Sequence, residues 1–175
     1  MIKLWRNFTC LILLLMHLSC DFIGGLGSGG VLGGKGKVFK FDCTRGELET
    51  CINNDLWSIK NIPEHLKKYY HDWDKPKTSP GFLIGKVFYL KANKEQTEEM
   101  YYVTLVSEKI EDTTWTKPSY LGIRALNIID GNNQWKTDDD ISTSEWERID
   151  ARFEKDIINQ IQNSSCGCKH IGYRE

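Results

Sequence analysis

Four cysteines carry most of the chemical potential of this chain. Cys43 and Cys51 stand near the start of its polar part, with seven residues between them, and Cys166 and Cys168 form a C-x-C pair at its end. Four thiols allow three disulfide pairings. A bridge within Cys166-Gly167-Cys168 would close a very small, strained ring. Linking each early cysteine to a late one would instead staple the C-terminal tail to the first strand. In the chain-entropy model, closing loops of about 115–125 residues stabilises by up to about 4–5 kcal/mol. This crossed arrangement is the expectation. One alternative is a metal site. Cys166, Cys168 and His170 offer two thiolates and an imidazole within five residues, which suits Zn or Cu(I), and Cys43 with Cys51 would complete a four-thiolate site. Neither pair has the two-to-four-residue separation usual for structural zinc. A redox-active C-x-C is the third possibility.

Other polar groups form weaker patterns. Asp130–Asp140, DGNNQWKTDDD, concentrates oxygen ligands and has Glu145 close by. The calcium-loop pattern fails, with Trp135 at the glycine place and Ile141 at the terminal glutamate place. The expectation there is a solvated turn that starts a helix. His65 and His71 lie six apart, not on one helix face as in H-E-x-x-H. His71, Asp72 and Asp74 are the residues around which a small hydrolase or sugar-binding site would have to be built. No G-x-S-x-G and no catalytic Cys-His signature is present, so no catalytic residue is assigned. Trp115, in a Thr-Thr-Trp-Thr-Lys-Pro stretch, is expected in a loop as a contact for a protein or peptide partner.

The elements that must position these groups read as an α+β domain over residues 37–175. Val38–Asp42 forms a short strand. Asn61 to Trp73 has a cap, an early Pro63 and Ile62, Leu66, Tyr69, Tyr70 and Trp73 at helical spacing. Residues 81–91 and 99–107 are rich in β-branched and aromatic side chains and flank a polar connection, as an antiparallel hairpin does. Residues 121–129 make a third strong strand, ended by Asp130-Gly131. Ser142 and Ser144 with Glu145 and Glu147 give capping-box spacing. Trp146, Ile149, Phe153, Ile157 and Ile161 then mark one helix face. The order β-α-β-β-β-α predicts a small antiparallel sheet, a meander of three to four strands, with two helices packed on one face.

Ahead of this domain the chain has a different character. Lys3 and Arg6 precede an 11-residue apolar run, Phe8–Leu18. A membrane-spanning helix needs about 20 such residues, so the run fits a secretory signal instead. Leu18-Ser19-Cys20 follows the leucine-rich Leu11–Leu15, and this arrangement resembles a bacterial lipoprotein signal peptide. His17 stands where that pattern has an aliphatic residue. The resemblance covers residues 1–20 and implies that Cys20 is lipidated and becomes the mature N-terminus. It further implies a domain anchored to a membrane of the bacterial cell envelope, the outer membrane first, facing the periplasm or the cell surface.

Residues 24–36, GGLGSGGVLGGKG, hold eight of the 15 glycines and read, with Cys20, as a flexible tether over 20–36. Gly25–Gly30 matches G-x-G-x-x-G, and Gly29–Lys35 matches G-x-x-x-x-G-K. No strand precedes either, and Gly36 replaces the Ser or Thr that would bind magnesium. No nucleotide or other cofactor is therefore expected. With 23 Lys and Arg against 24 Asp and Glu, the net charge of −1 supplies no basic excess for nucleic acid. The sequence thus predicts a lipid-anchored envelope protein with a non-enzymatic binding domain. A thiol-redox or metal module on the four cysteines and His170, or a small hydrolase, is the alternative.

Overall fold

The structure, a computed structural model, describes residues 35–56, 61–69, 84–110 and 114–174, with the backbone alone at 108–110 and 114–115. It consists of a six-stranded antiparallel sheet with its helices over one face. The strands are β1 (Val38–Phe41), β2 (Ile84–Leu90), β3 (Glu99–Ile110), β4 (Thr114–Ile128), β5 (Trp135–Lys136) and β6 (His170–Tyr173). The α-helices are α1 (Arg45–Asp55), α2 (Thr143–Phe153) and α3 (Asn159–Asn163), the last two joined by a π-helical turn, Glu154–Ile158. Strand order is β2-β3-β4-β1-β6, with β5 on β4. The α+β class and the β2-β3-β4 meander are those expected, but the sheet has six strands rather than three to four.

Alternation along the strands creates two cores. Phe39, Phe41, Phe88, Tyr101, Val103, Leu105, Leu121 and Ile123 face the helices, where Leu48 and Ile52 of α1 and Trp146, Ile149 and Phe153 of α2 meet them. Val87, Tyr89, Met100, Tyr102 and Ala125 form a second cluster on the opposite face, with Leu66 packed into it. Leu66 belongs to a 3-10 segment, Glu64–Tyr69. The helix expected over 61–73 is therefore a 3-10 turn in its described part, and it lies on the face away from α1 and α2. The second of the two main helices is instead α1, which the sequence reading passed over.

The signal for α1 is present in the chain. Thr44-x-x-Glu47 is a capping box: Thr44 Oγ1 accepts from Glu47 N at 3.3 Å, and Glu47 Oε2 accepts from Thr44 N at 2.8 Å. Leu48, Cys51 and Ile52 then follow at the spacing of one helix face and are all buried. Strand β4 begins seven residues before the expected 121. Pro118 disguises this extension, since proline cannot donate to a ladder. It sits in an irregularity where Thr116–Pro118 face Glu108 alone, between the Ser107↔Ser119 and Lys109↔Trp115 pairs. Trp115 is consequently a strand residue, not a loop residue.

A buried carboxylate locks α2 onto the meander. Glu99, with no exposed surface, takes Arg148 Nη2 at 2.7 Å on Oε1 and Arg152 Nη1 at 2.9 Å on Oε2. The Tyr101 hydroxyl also donates to Glu99, and burial beside that carboxylate pushes the phenol's pKa up. Arg152, only 1% exposed, also donates to the carbonyls of Thr97 at 2.6 Å and Lys91 at 3.1 Å. The β2–β3 connection and helix α2 are thereby fixed by one network, in which Arg152 Nε, 3.6 Å from Asp156 Oδ2, is the donor left without a hydrogen bond.

The packed domain also takes in Lys35 and Gly36. Lys35 N donates to Asp138 Oδ1 at 3.1 Å, and a Cβ on Gly36 would lie 2.8 Å from the Trp146 ring. Lys37 N donates to Asp150 Oδ2 at 2.9 Å, while burial raises the Asp150 carboxyl above its usual range.

Two predictions follow from these contacts. Glu99→Ala leaves the buried Arg152 guanidinium without its carboxylate, Arg148 keeping Glu145, and is expected to cost about 3–5 kcal/mol. Chemical denaturation measures it, and a loss under 1 kcal/mol would show that the network is dispensable. Asp150 carries the opposite sign to a paired carboxylate. Its raised folded pKa favours the protonated form, so its contribution is complete at low pH and is lost as pH rises through the folded value. Asp150→Asn should therefore gain stability relative to the parent as pH is raised above about 4; a difference constant between pH 3 and 7 would refute that.

Candidate functional site

The sequence-predicted cysteines converge at one corner of the domain. Cys43 follows β1 and Cys168 precedes β6. The Phe41↔His170 pairing of these strands, extended by the Asp42 N–Lys169 O bond of 2.9 Å, sets Cys43 opposite Cys168. Their Cα atoms are 5.3 Å apart with the sulfurs at bonding distance. Cys51 on α1 meets Cys166 in the same way, also at 5.3 Å. Both separations lie in the range that a disulfide spans. Each early cysteine faces a late one, so the geometry is that of the crossed pairing.

One glycine makes this double contact possible. Gly167 has φ of +81°, in the left-handed region that an L side chain seldom adopts. The turn aims Cys166 at α1 and Cys168 at the end of β1, where an extended C-x-C would point both side chains to one side. The pinned tail then adds β6 to the sheet edge, pairing Phe39 with Tyr173 and Lys40 with Gly172.

The two pairs have different surroundings. Cys43 and Cys168 are 4% and 1% exposed, enclosed in the main core. Cys51 is buried too, but Cys166 is partly exposed. Both Cys51 and Cys166 line an open cavity of about 400 Å³ whose wall includes Glu47, Thr50, Asn54 and Asp55. An adjoining groove of about 680 Å³ shares Asn54 and Asp55 and adds Lys155 and the amides of Asn159 and Asn163. Ser164, the C-cap of α3, holds its Oγ 2.8 Å from Cys166 Sγ and 3.2 Å from Cys51 Sγ, while also donating to Ile161 O at 2.7 Å. Hydrogen bonds from Thr44 hold the Glu47 carboxyl below its usual range, so it is ionised at neutral pH.

The metal alternative loses its ligand set. Cys166 and Cys168 turn to different partners. The His170 ring packs against Phe39, Phe41 and Tyr173 at 5.7, 5.8 and 5.3 Å between centroids. Among the described residues the side chains that do gather as potential ligands are Cys51, Asp55 and Cys166, and the two sulfurs there are occupied with each other. The acidic loop is spent on its own turns. Asp130 Oδ1 accepts from Asn132 N, Asp140 Oδ2 from Thr137 N, and Asp138 holds Lys35. Cys20, His71, Asp72 and Asp74 lie outside the described residues, and Trp115 is opposite Lys109 at the far end of the β3–β4 ladder. Asp55 and Ser164 were not expected at the site. Asp55 could have been found, because it stands one helical turn after Cys51; Ser164 has no such signal.

The two bridges are coupled through the loop each one closes. With either in place, the other closes only the short path from Cys43 to Cys51 and from Cys166 to Cys168. In the chain-entropy model, losing one bridge costs about 3 kcal/mol, and losing the second, which frees a loop of more than 100 residues, about 5 kcal/mol. Denaturation of Cys51→Ser/Cys166→Ser, Cys43→Ser/Cys168→Ser and the quadruple variant is therefore expected to show a loss in the last greater than the sum of the first two. Strict additivity would mean that the bridges constrain separate loops.

Comparison with protein-family models, curated proteins and solved structures finds no match for this chain.

Proposed function

We propose that the protein is a lipid-anchored component of the bacterial cell envelope whose small α+β domain binds another protein or peptide. The observation that carries the reading is the N-terminal Lys3/Arg6, Phe8–Leu18, Ser19-Cys20 sequence, followed by the Gly-rich stretch. An acylated Cys20 would hold the chain at a bilayer, with each buried methylene contributing about 0.8 kcal/mol. The four paired cysteines support the same address. Bridges persist in oxidising compartments and are rare where glutathione and thioredoxin keep thiols reduced.

The binding role is supported by what a short tether would present. Residues 35–37 are clamped to the 138–150 region by the Lys35–Asp138 and Lys37–Asp150 contacts, so the tether would leave the domain at the start of β1. The cross-linked corner lies past the opposite end of that strand. A cavity and groove held by two cross-links suit recognition of a partner more readily than contact with lipid.

Intact-mass measurement on membrane-extracted protein tests the anchor. The expected species begins at Cys20, lacks residues 1–19 and carries a diacylglyceryl group; Cys20→Ser should abolish acylation and membrane retention. An unacylated chain retaining residues 1–19 would exclude it. Cross-linking in intact cells before mild-detergent extraction tests the binding role. A monomeric domain with no adduct would count decisively against it.

A further inference from the structure

The two cysteine pairs differ in access, surroundings and structural consequence, and the difference points to chemistry at one of them. We propose that the Cys51–Cys166 bridge is a thiol-exchange site selective for cationic thiols, with Cys166 Sγ as the atom attacked. The proposal rests on the corner's geometry and is independent of the lipid anchor.

Thiol–disulfide exchange needs an open approach to one sulfur and a stabilised leaving thiolate. Cys166 is partly exposed on the wall of the open cavity, whereas Cys51 behind it is 1% exposed. An incoming thiolate therefore meets Cys166 first. The new S–S bond forms on Cys166, the old one breaks, and its electron pair leaves on Cys51. Ser164 Oγ, 3.2 Å from Cys51 Sγ, is placed to turn its proton from the Ile161 carbonyl to that thiolate. A second thiol then attacks the mixed disulfide. Two thiols are oxidised to one disulfide, the protein pair is reduced to two thiols, and the two protons pass from the incoming thiols to Cys51 and Cys166. The domain can survive the change because Cys43–Cys168, closed off in the core, still holds the tail to β1.

Charge selects the thiol. Glu47 and Asp55 line the cavity, and the Asp55 carboxylate lies within 4.8 Å of both sulfurs. The nearest opposing charges stand outside: Lys117 acts on Glu47, and Lys155 lies in the adjoining groove. A thiolate whose carrier is also anionic is repelled, while an ammonium or guanidinium beside the thiol is drawn in. The natural co-reactant is thus a thiol with a cationic neighbour, such as a cysteine flanked by Lys or Arg.

The test uses the oxidised full chain with cysteamine, 2-mercaptoethanol or mercaptoacetate at equal thiolate concentration. Released thiols are trapped by alkylation and mapped by mass spectrometry. Cys51 and Cys166 are expected to open at least about ten-fold faster than Cys43 and Cys168, with the mixed disulfide on Cys166. Divided by each thiolate's rate with a neutral model disulfide, which removes differences in intrinsic nucleophilicity, the rates should fall in the order cysteamine, 2-mercaptoethanol, mercaptoacetate at 0.01 M salt. This order should collapse at 1 M, where the Debye length falls from about 30 Å to about 3 Å. Asp55→Asn should narrow the same spread at low salt. Equal opening of both bridges, a mixed disulfide on Cys51, or rates for the three thiols at low salt that are equal after this division would each overturn the proposal, and all three are read on the parent protein.

Discussion

A single carboxylate sets how the helical layer meets the sheet. Glu99 is wholly buried at the start of β3, and its two oxygens are shared among Arg148, Arg152 and the Tyr101 hydroxyl. A buried charge is costly unless it is paired and hydrogen-bonded. That condition reaches well beyond the pair. Arg152 must also find the carbonyls of Thr97 and Lys91, so the β2–β3 connection has to close in one conformation. Arg148 must share itself with Glu145 in the first turn of α2, which fixes the helix in rotation. Apolar packing of Trp146, Ile149 and Phe153 would hold α2 on the sheet. The ionic network specifies where along the sheet it lies.

The tail is held by a different kind of constraint. Residues 170–173 are too few and too mixed in character to form a strand on their own account. They become β6 because Cys168 is set opposite Cys43 and the Asp42–Lys169 hydrogen bond continues the register. Tyr173 then reaches back over the start of β1, where its hydroxyl donates to Glu154 at 2.6 Å and Lys37 lies over its ring. Sequence-distant ends of the domain are thereby joined at both ends of one four-residue strand. Short as it is, β1 is the place where the first and last elements of the fold are made to agree.

What could be read from the sequence divides along this line. Elements whose signal is local were legible: the β2–β3 hairpin by its β-branched and aromatic runs, and α2 by its cap and its apolar spacing. The crossed cysteine pairing was legible because a C-x-C ring is geometrically poor. Helix α1 was legible and passed over, since Thr44-x-x-Glu47 and the Leu48, Cys51, Ile52 spacing are both in the chain. Three features were not. The early start of β4 is hidden by Pro118, which is tolerated only because a bulge removes the need for its N–H. β6 depends on a partner more than 100 residues away. Nothing in Glu98-Glu99 distinguishes the half-buried carboxylate from the fully buried one, because the distinction lies in arginines on a helix some 50 residues later. One glycine of the apparent spacer, Gly36, also proved to be a packing residue, for its missing Cβ admits the Trp146 ring.

The corner combines the two constraints in a way that bears on what it can do. A site held by one bridge would lose its geometry whenever that bridge opened. Here the buried Cys43–Cys168 pair keeps the tail in register, so the more open Cys51–Cys166 pair is not required to hold β6 in place. Redundancy of this kind lowers what the second bridge adds from about 5 kcal/mol for a long loop to about 3 kcal/mol for a short one. The cavity wall adds a further asymmetry: Asp55 and Glu47 give a negative lining, and the Thr44 hydrogen bonds keep Glu47 ionised. A partly open disulfide with an acidic lining thus stiffens the fold and, on the exchange reading proposed above, also suits a thiol with a cationic neighbour.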